Sequence, residues 1–366
     1  MVIASDEEGM ALALQWAAKG LYTTAPNPRV GCVIVKEHRV MAAGFTQPAG
    51  QAHAEIEALR AAARDGINVS GATVYVTLEP CSHYGRTPPC AEALIKAGVG
   101  RVVAAIGDPN PLVAGQGLAS LRAAGIETQC GVLAEAAREL NIGFFSRMQR
   151  GKPWVRMKSA ASLDGKTALH DGRSQWITSP EARADGHAWR ARACAILTGI
   201  GTVLQDDPLL TVRGIDTPRQ PLRIVVDSRL QISPTARVLQ DGGALIVTAQ
   251  NDSEKIERLQ GKGCEVLVLP NLHGKVDLPG LMRELGRRGI NELHVEGGAK
   301  LNGSLIAEDC VDELLLYIAP KLLGDAREMF GLGQVSELAS AKRLTFRGFD
   351  PIGPDLRILA RFASQH

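Results

Sequence analysis

The chain has 366 residues, 45% of them hydrophobic and 22% charged, which suggests two or three globular domains with ordinary apolar cores. Its formal net charge of +2 at pH 7 is too small to favour nucleic acid or an anionic membrane as a standing partner. The N-terminal stretch MVIASDEEGM is acidic and lacks the basic and apolar regions of a signal peptide, so we expect no membrane segment and a cytoplasmic location.

The first part of the chain alternates apolar strands with helices, and this alternation predicts a layered α/β domain. Helices are predicted at residues 6–19, 51–64, 90–97 and 117–124, and strands at residues 30–35, 40–45, 72–78 and 101–106. The pattern breaks around the basic segment 146–153, which contains Gly151 and Pro153. We therefore place a domain boundary between residues 147 and 148.

A second α/β series follows this boundary, and no internal repeat is found. Ser179 and Pro180 supply the N-cap and the first residue of a helix. Buried strands are predicted at residues 154–159, 195–197, 222–226, 244–248, 266–269, 292–295, 314–318 and 356–362. The second part of the chain is therefore also predicted to be a layered α/β domain.

One constellation in the first part indicates metal chemistry. His53 lies two residues before Glu55, and Cys81 and Cys90 follow, the first of them directly after Pro80. One imidazole and two thiols are three ligands for zinc, which leaves its fourth position for a water whose pKa falls from about 15.7 to about 7. Glu55 is placed to carry protons without binding the metal. The order His-x-Glu, Pro-Cys and a second Cys is the signature of zinc-dependent deaminases of bases and nucleosides.

The spacing of the two cysteines departs from the usual signature. Eight residues, 82–89, separate them here, whereas two are typical. We expect this loop to lie over the site, where His83 and Arg86 suit a phosphate or a polar ring edge. The alternatives are a structural zinc site with His83 as the fourth ligand, two unrelated thiols, or loop charges that are simply solvated. A structural site would leave Glu55 without a role.

Three stretches stand out in the second part of the chain. They are residues 158–166 with 174–177, residues 198–202 with 206–213, and residues 295–299. Glu296, Gly297 and Gly298 lie between a predicted strand and a helix, where a glycine pair exposes backbone N–H groups to phosphate. The residues alone leave open both a phosphate-bearing cofactor and a plain tight turn.

Together these motifs, in this order, resemble the bifunctional pyrimidine deaminase/reductase family of riboflavin biosynthesis. The resemblance covers nearly the whole chain, and the long loop between the cysteines is that family's own form. It implies a cytidine-deaminase-like three-layer domain at residues 1–147 and a dihydrofolate-reductase-like domain at residues 148–366. The implied reactions are zinc-dependent deamination of 2,5-diamino-6-(5-phosphoribosylamino)pyrimidin-4-one and NADPH-dependent reduction of its ribosyl group to ribityl.

The resemblance also implies roles for individual residues. His53, Cys81 and Cys90 would bind zinc, and Glu55 would carry protons. The cofactor positions are Ala160, Trp176, Thr202, Asp206, Gly297 and Gly298. The substrate positions are Asn27, His83, Arg86, Ser174, Arg190, Leu210, Arg213 and Glu296. Lys158 and Asp206 are the candidates for orienting or protonating the reacting group, and Arg190 and Arg213 suit the substrate phosphate. Thr46 stands where relatives are expected to have His. A homodimer is a further expectation.

Two other functions remain as alternatives at this stage. The chain could be a base deaminase that acts on nucleic acid and carries an appended domain, but the small net charge counts against it. It could also be a nucleotide-sensing module without catalytic activity. The intact set of His53, Glu55, Cys81 and Cys90 counts against that function.

Overall fold

A computed structural model describes residues 1–82, 89–111 and 114–363. The chain forms two compact units, one spanning Met1–Gly151 and a second that begins at Lys152. In the described part of the chain, every helix is too short or too polar to cross a membrane.

The first unit is built on a five-stranded mixed sheet. Its described helices are α1 (Asp6–Ala18), α2 (Ala54–Arg64), α3 (Cys90–Lys96), α4 (Gln116–Ala123), α5 (Ala134–Leu140) and α6 (Ile142–Arg150). Its strands are β1 (Gly31–Lys36), β2 (Arg39–Phe45), β3 (Thr73–Val76), β4 (Arg101–Ala104) and β5 (Glu127–Cys130). The strand order is β2-β1-β3-β4-β5. Strand β1 runs antiparallel to both of its neighbours, whereas β3, β4 and β5 are parallel.

Apolar residues cover both faces of this sheet because successive side chains of a strand point to opposite sides. Ile34 and Val74 belong to the cluster that contains residues of α2, α3 and α4. Their chain neighbours Val33 and Tyr75 belong to the cluster that contains residues of α1 and α5. The unit is therefore a sheet between two layers of helices, which confirms the predicted three-layer fold.

The end of the first unit differs from the expected break in the pattern. Residues 142–150 form the helix α6, and its Phe144 and Phe145 are buried in the core beside the sheet. Because this helix belongs to the first core, the division between the compact units falls between Gly151 and Lys152, a few residues after the predicted boundary.

The second unit is built on a nine-stranded sheet and a two-stranded ribbon. Its described helices are α7 (Pro180–Arg192), α8 (Ile200–Asp206), α9 (Ser253–Gln260), α10 (Leu278–Arg287) and α11 (Ala299–Ala307). Its strands are β6 (Trp154–Ser162), β7 (Lys166–Ala168), β8 (Ala195–Gly199), β9 (Leu222–Val226), β10 (Ala244–Thr248), β11 (Glu265–Val268), β12 (Glu292–Val295), β13 (Glu313–Ala319), β14 (Arg327–Glu328), β15 (Leu344–Ile352) and β16 (Asp355–Phe362).

The large sheet has the order β11-β10-β9-β8-β12-β6-β13-β16-β15. All pairs from β11 to β13 are parallel, and the last two pairs are antiparallel. Strands β8 and β10 are buried along their whole length, as expected of central parallel strands that read as continuous apolar runs. This mixed α/β sheet confirms the predicted fold class.

A buried ion network lies at the amino ends of three neighbouring parallel strands. The Arg156 guanidinium contacts Glu313 on β13 at 2.5 Å and Glu292 on β12 at 3.1 Å. Arg192 also pairs with Glu292, and Arg361 pairs with Glu313. The side chains of the three central residues are at most 4% exposed, so each charge depends on its partners for compensation.

Replacing Arg156 by Met is expected to destabilise the second unit by about 3 kcal/mol, the lower end of the range for a broken buried pair. The lower end applies because Arg192 and Arg361 still face the two carboxylates. Urea unfolding followed by tryptophan fluorescence measures the loss. The control is Arg258→Met, because the Arg258–Glu254 pair on α9 is largely exposed and such pairs contribute about 0.5 kcal/mol. Equal losses in the two variants would contradict a stabilising role for the network.

Candidate active sites

The predicted zinc ligands come together in the first unit. His53 directly precedes α2, Cys90 is the first residue of α3, and Cys81 lies in the segment after β3. Their three ligand atoms all lie within 4.8 Å of one another. His53 Nδ1 is 3.6 Å from Cys81 Sγ and 3.3 Å from Cys90 Sγ. With Zn–S near 2.3 Å and Zn–N near 2.0 Å, tetrahedral ligand atoms lie roughly 3.5 Å apart, so this donor set fits zinc.

Glu79 anchors the segment that carries Cys81. Its side chain is buried, and the carboxylate accepts hydrogen bonds from the N–H groups of Gly115, Gly117 and Leu118 at 3.0–3.2 Å. Two of these donors belong to the first turn of α4, whose N–H groups lack partners within the helix. A Cβ atom on Gly117 would lie 1.9 Å from the Pro80 carbonyl oxygen, so only glycine permits this approach. Sequence reasoning missed Glu79, because its partners are backbone groups far along the chain.

Glu55 is the second residue of α2 and is only 3% exposed. Burial, followed by the nearby Cys81 charge, raises the pKa of this carboxyl to about 7. A group that titrates near neutral pH can both accept and release a proton during a reaction. A hydrogen bond from Cys90 is the main cause that lowers the pKa of Cys81 to about 4, and a hydrogen bond with Cys81 raises the pKa of His53.

The other candidate site residues of the first unit are His83, Arg86, Asn27 and Thr46. His83 and Arg86 lie outside the described residues. Asn27 lies in the turn before β1, where its N–H donates to the Thr24 carbonyl at 3.0 Å. Thr46 follows β2 and is buried, and its hydroxyl has no hydrogen-bond partner among the residues that the structure describes.

An ion pair forms the centre of the second site. Glu296 directly follows β12, and both of its oxygens contact the Arg190 guanidinium of α7, at 2.5 and 2.8 Å. Although burial alone would raise the pKa of Glu296, Arg190 holds it well below its usual range. Lys158 on β6 is close enough to interact with both charges. Burial lowers the pKa of Lys158, the Glu296 charge opposes this shift, and the Arg190 charge adds to it.

The predicted substrate residues Leu210 and Arg213 lie beside this pair. Leu210 is 3% exposed and has a positive φ of 53°, whereas the Arg213 side chain is exposed. The Arg213 N–H donates to His187 Nδ1 of α7 at 3.2 Å. Sequence reasoning missed His187. Its position three residues before Arg190, on the same helical face, is a signal that could have found it.

Two glycine-containing strand ends meet at the carboxyl edge of the sheet. Gly199 ends β8, and Gly297 and Gly298 follow the neighbouring strand β12 and lead into α11. A Cβ atom on Gly297 would lie 2.6 Å from Asn302 Oδ1, and one on Gly298 would lie 3.8 Å from Thr202 Oγ1. The open backbone at a helix start is suited to the phosphate groups of NADPH.

The remaining candidates lie on several elements of the second unit. The Trp176 side chain is 62% exposed, and the Arg183 guanidinium lies 4.3 Å from its ring centroid. Ser174 is half-buried in the same loop, and Ala160 lies on β6 opposite Tyr317 of β13. Asp206 ends α8, where burial raises its pKa and the Arg327 charge opposes the shift. The charges that shift the pKa of Lys158, the other candidate for proton transfer, are those of Glu296 and Arg190, whereas the charge that shifts the pKa of Asp206 is that of Arg327.

Two family models match the chain in succession. The one described as the cytidine and deoxycytidylate deaminase zinc-binding region matches residues 3–106. The one described as the RibD C-terminal domain matches residues 153–358, more than half of the chain.

Relatives match over nearly the full length. The chain is 48% identical over 365 residues to the riboflavin biosynthesis protein RibD of Escherichia coli (strain K12), covering 96% of this chain and 98% of the relative. It is 42% identical over 359 residues to RibD of Aquifex aeolicus, covering 98% and 99%. Among solved structures, RibD of Acinetobacter baumannii matches with a TM-score of 0.90 and 41% identity, covering 98% of this chain and 99% of that chain.

A further solved structure is that of a diaminohydroxyphosphoribosylaminopyrimidine deaminase/5-amino-6-(5-phosphoribosylamino)uracil reductase from Thermotoga maritima. It matches with a TM-score of 0.89 and 33% identity, covering 98% of this chain and 99% of that chain. These matches define a two-part enzyme with a zinc-dependent deaminase region and an NADPH-dependent reductase domain. The chain belongs to the RibD family of riboflavin biosynthesis proteins, which confirms the predicted activities and cofactors.

Replacing Glu55 by Gln is expected to lower deamination by about two to four orders of magnitude, because an amide cannot carry the proton. Zinc should stay bound, since Glu55 is not one of the three ligands. Ammonia release and zinc content, measured on the same sample, check both points. The control is Glu57→Gln on the same helix, whose side chain pairs with Arg60 and whose loss should leave the rate unchanged. Deamination that persists in Glu55→Gln would remove Glu55 from this role.

Proposed function

We propose that the first unit deaminates 2,5-diamino-6-(5-phosphoribosylamino)pyrimidin-4-one and that the second unit reduces the ribosyl group of the product with NADPH. The observation that carries the first half is that the ligand atoms of His53, Cys81 and Cys90 lie within 4.8 Å of one another beside the buried Glu55. The second half is supported by the Arg190–Glu296 pair next to Lys158 and the glycine-containing strand ends.

In the deaminase, His53, Cys81 and Cys90 would hold the zinc, which would supply an activated water when bound. The Glu55 carboxylate is placed to accept a proton from the attacking water. It then delivers the proton to the amino group, which leaves the pyrimidine ring as ammonia. The ring carbon gains the water oxygen and loses the amino nitrogen. The second water proton ends on the neighbouring ring nitrogen, so water and amine become carbonyl and ammonia. Burial, which raises the pKa of the Glu55 carboxyl, favours a group that can both accept and release this proton.

In the reductase, NADPH supplies the hydride when bound, and the protein orients the sugar. The Lys158 ammonium, whose pKa is lowered by burial, is suited to give a proton to the sugar oxygen. Glu296 accepts hydrogen bonds from sugar hydroxyl groups while Arg190 fixes its carboxylate. Because Arg190 is already engaged, the exposed Arg213 guanidinium is the phosphate ligand. Asp206, which faces Arg327, belongs to the cofactor side of the site.

The variant Cys90→Ser is expected to lose zinc and ammonia release, because an alcohol oxygen is a poor substitute for a thiolate. The same full-length variant should still oxidise NADPH with the deaminated substrate, since the reductase residues lie in the second unit. Metal analysis and the two activity assays measure these effects. Cys130→Ser, which changes an exposed thiol on β5, is the control. Zinc at full occupancy in Cys90→Ser contradicts the ligand assignment, and loss of both activities contradicts two separate sites.

We also propose that the protein is a cytoplasmic homodimer in which β15 contacts a second copy of the chain. Strand β15 is the edge of the nine-stranded sheet, and its Phe346 and Phe349 are 62% and 56% exposed. Their ring centroids lie 4.8 Å apart, so they form one apolar patch on an edge that can pair with another strand. The cysteines are free thiols, which fits a reducing compartment.

Replacing Phe346 by Asp is expected to shift the protein from dimer to monomer, because a charge would have to be buried in the contact. Sedimentation velocity measures the change. Leu272→Asp is the matched control, since Leu272 is fully exposed in a loop away from β15. A Phe346→Asp protein that remains dimeric would place the contact elsewhere.

A further inference from the structure

Side chains from outside the segment hold the backbone of residues 211–213 at three successive points. Arg190 donates from Nη1 to the Thr211 carbonyl at 3.0 Å. The Gln220 carboxamide accepts from the Val212 N–H at 2.8 Å and lies 3.4 Å from the Val212 carbonyl, to which it donates. The third contact is a hydrogen bond from the Arg213 N–H to Nδ1 of His187 at 3.2 Å. Contacts of this kind give a loop the backbone hydrogen bonds that a strand partner would otherwise supply.

The contact with Arg213 requires one particular protonation state of the His187 ring. Its Nδ1 must accept a hydrogen bond from the Arg213 N–H, which only a neutral imidazole with its proton on Nε2 can do. Burial is the main cause that lowers the pKa of His187 to about 4, and the Arg190 and Arg213 charges lower it further. The ring is therefore neutral at physiological pH, and its acceptor is available.

The position of Arg213 shows what this contact controls. The residue that follows, Gly214, has a φ of +72°, a conformation that glycine adopts without strain. Hydrogen bonds thus hold the backbone on the N-terminal side of Arg213, whereas Gly214 on its C-terminal side can adopt a wide range of backbone conformations. Its guanidinium donates from Nη1 to Thr211 Oγ1 at 3.3 Å, and the side chain is otherwise exposed. The hydrogen bond to the Arg213 N–H restricts the backbone motion of this residue before the substrate binds. A bound phosphate then has less motion to restrict, which lowers the entropic cost of binding.

We propose that His187 is a positioning residue for the substrate phosphate and acts through the backbone N–H of Arg213. The proposal rests on the reductase function proposed above, in which Arg213 binds that phosphate. Gln220 serves the same purpose one residue earlier, through Val212. Neither side chain needs to touch the substrate, so their effect depends on whether the substrate carries a phosphate.

The test compares the deaminated substrate with and without its 5′-phosphate, using the full-length protein and saturating NADPH. In His187→Leu, the KM for the phosphorylated substrate should rise roughly tenfold while kcat changes little, as for a lost binding contribution. The KM for the dephosphorylated substrate should stay near that of the wild type. His187→Asn is the matched control, because its amide oxygen can accept the Arg213 hydrogen bond, and it should restore most of the phosphate-dependent affinity.

Gln220→Met provides a second variant that keeps the side-chain length and removes both hydrogen bonds to Val212. It should show the same phosphate-dependent rise in KM, with the KM for NADPH unchanged. Equal losses on both substrates in His187→Leu, or no recovery in His187→Asn, overturn the positioning role while the wild type still reduces both substrates. A wild-type protein that reduces neither substrate contradicts the reductase function and the positioning role with it.

Discussion

Both sites depend on the same constraint, the common direction of neighbouring parallel strands. Such strands bring their carboxyl ends to one edge of a sheet. The segments that follow these ends lie outside the apolar core, so polar side chains can be accommodated there. In the first unit, Cys81 and its support Glu79 follow β3. In the second unit, Gly199 ends β8 and Glu296 follows the adjacent β12. Strand direction therefore places these residues, and in the first unit the starts of α2 and α3 add His53 and Cys90.

Strand β12 illustrates how stability and reactivity are separated along one element. Its first residue, Glu292, belongs to the buried network around Arg156, and Glu296 lies just beyond its last residue. At about 3.3 Å per residue, the Cα atoms of these two residues are roughly 13 Å apart. Both are paired with arginine, and Glu296 also has Lys158, whose pKa is lowered by burial, as a neighbour. The ion pairs at the amino end join three neighbouring strands, and the pair at the carboxyl end is the one that we propose to face the reacting sugar.

The sequence allowed the prediction of features that depend on local patterns. The strands predicted at β9, β10 and β12 and the cap of α7 by Ser179 agree with the structure, as does the helix start at Cys90. Edge strand β15 was missed because most of its residues are exposed, so its pattern lacks a buried face. Glu79 and His187 were missed for another reason. Their partners are backbone N–H groups brought close only by the tertiary fold, so the contacts leave no local pattern. Of the two residues, His187 alone is marked in the sequence, by its spacing from Arg190 on α7.

The Glu79 carboxylate has a consequence beyond the geometry of the zinc site. It accepts hydrogen bonds from two N–H groups in the first turn of α4, and it precedes the predicted metal ligand Cys81 by two residues in the chain. Zinc binding that orders this segment therefore also favours the folded start of α4, and α4 in turn favours the metal-competent arrangement. By thermodynamic linkage the two effects are equal in free energy. A helix that supplies none of the zinc ligands thus contributes to the affinity for the metal.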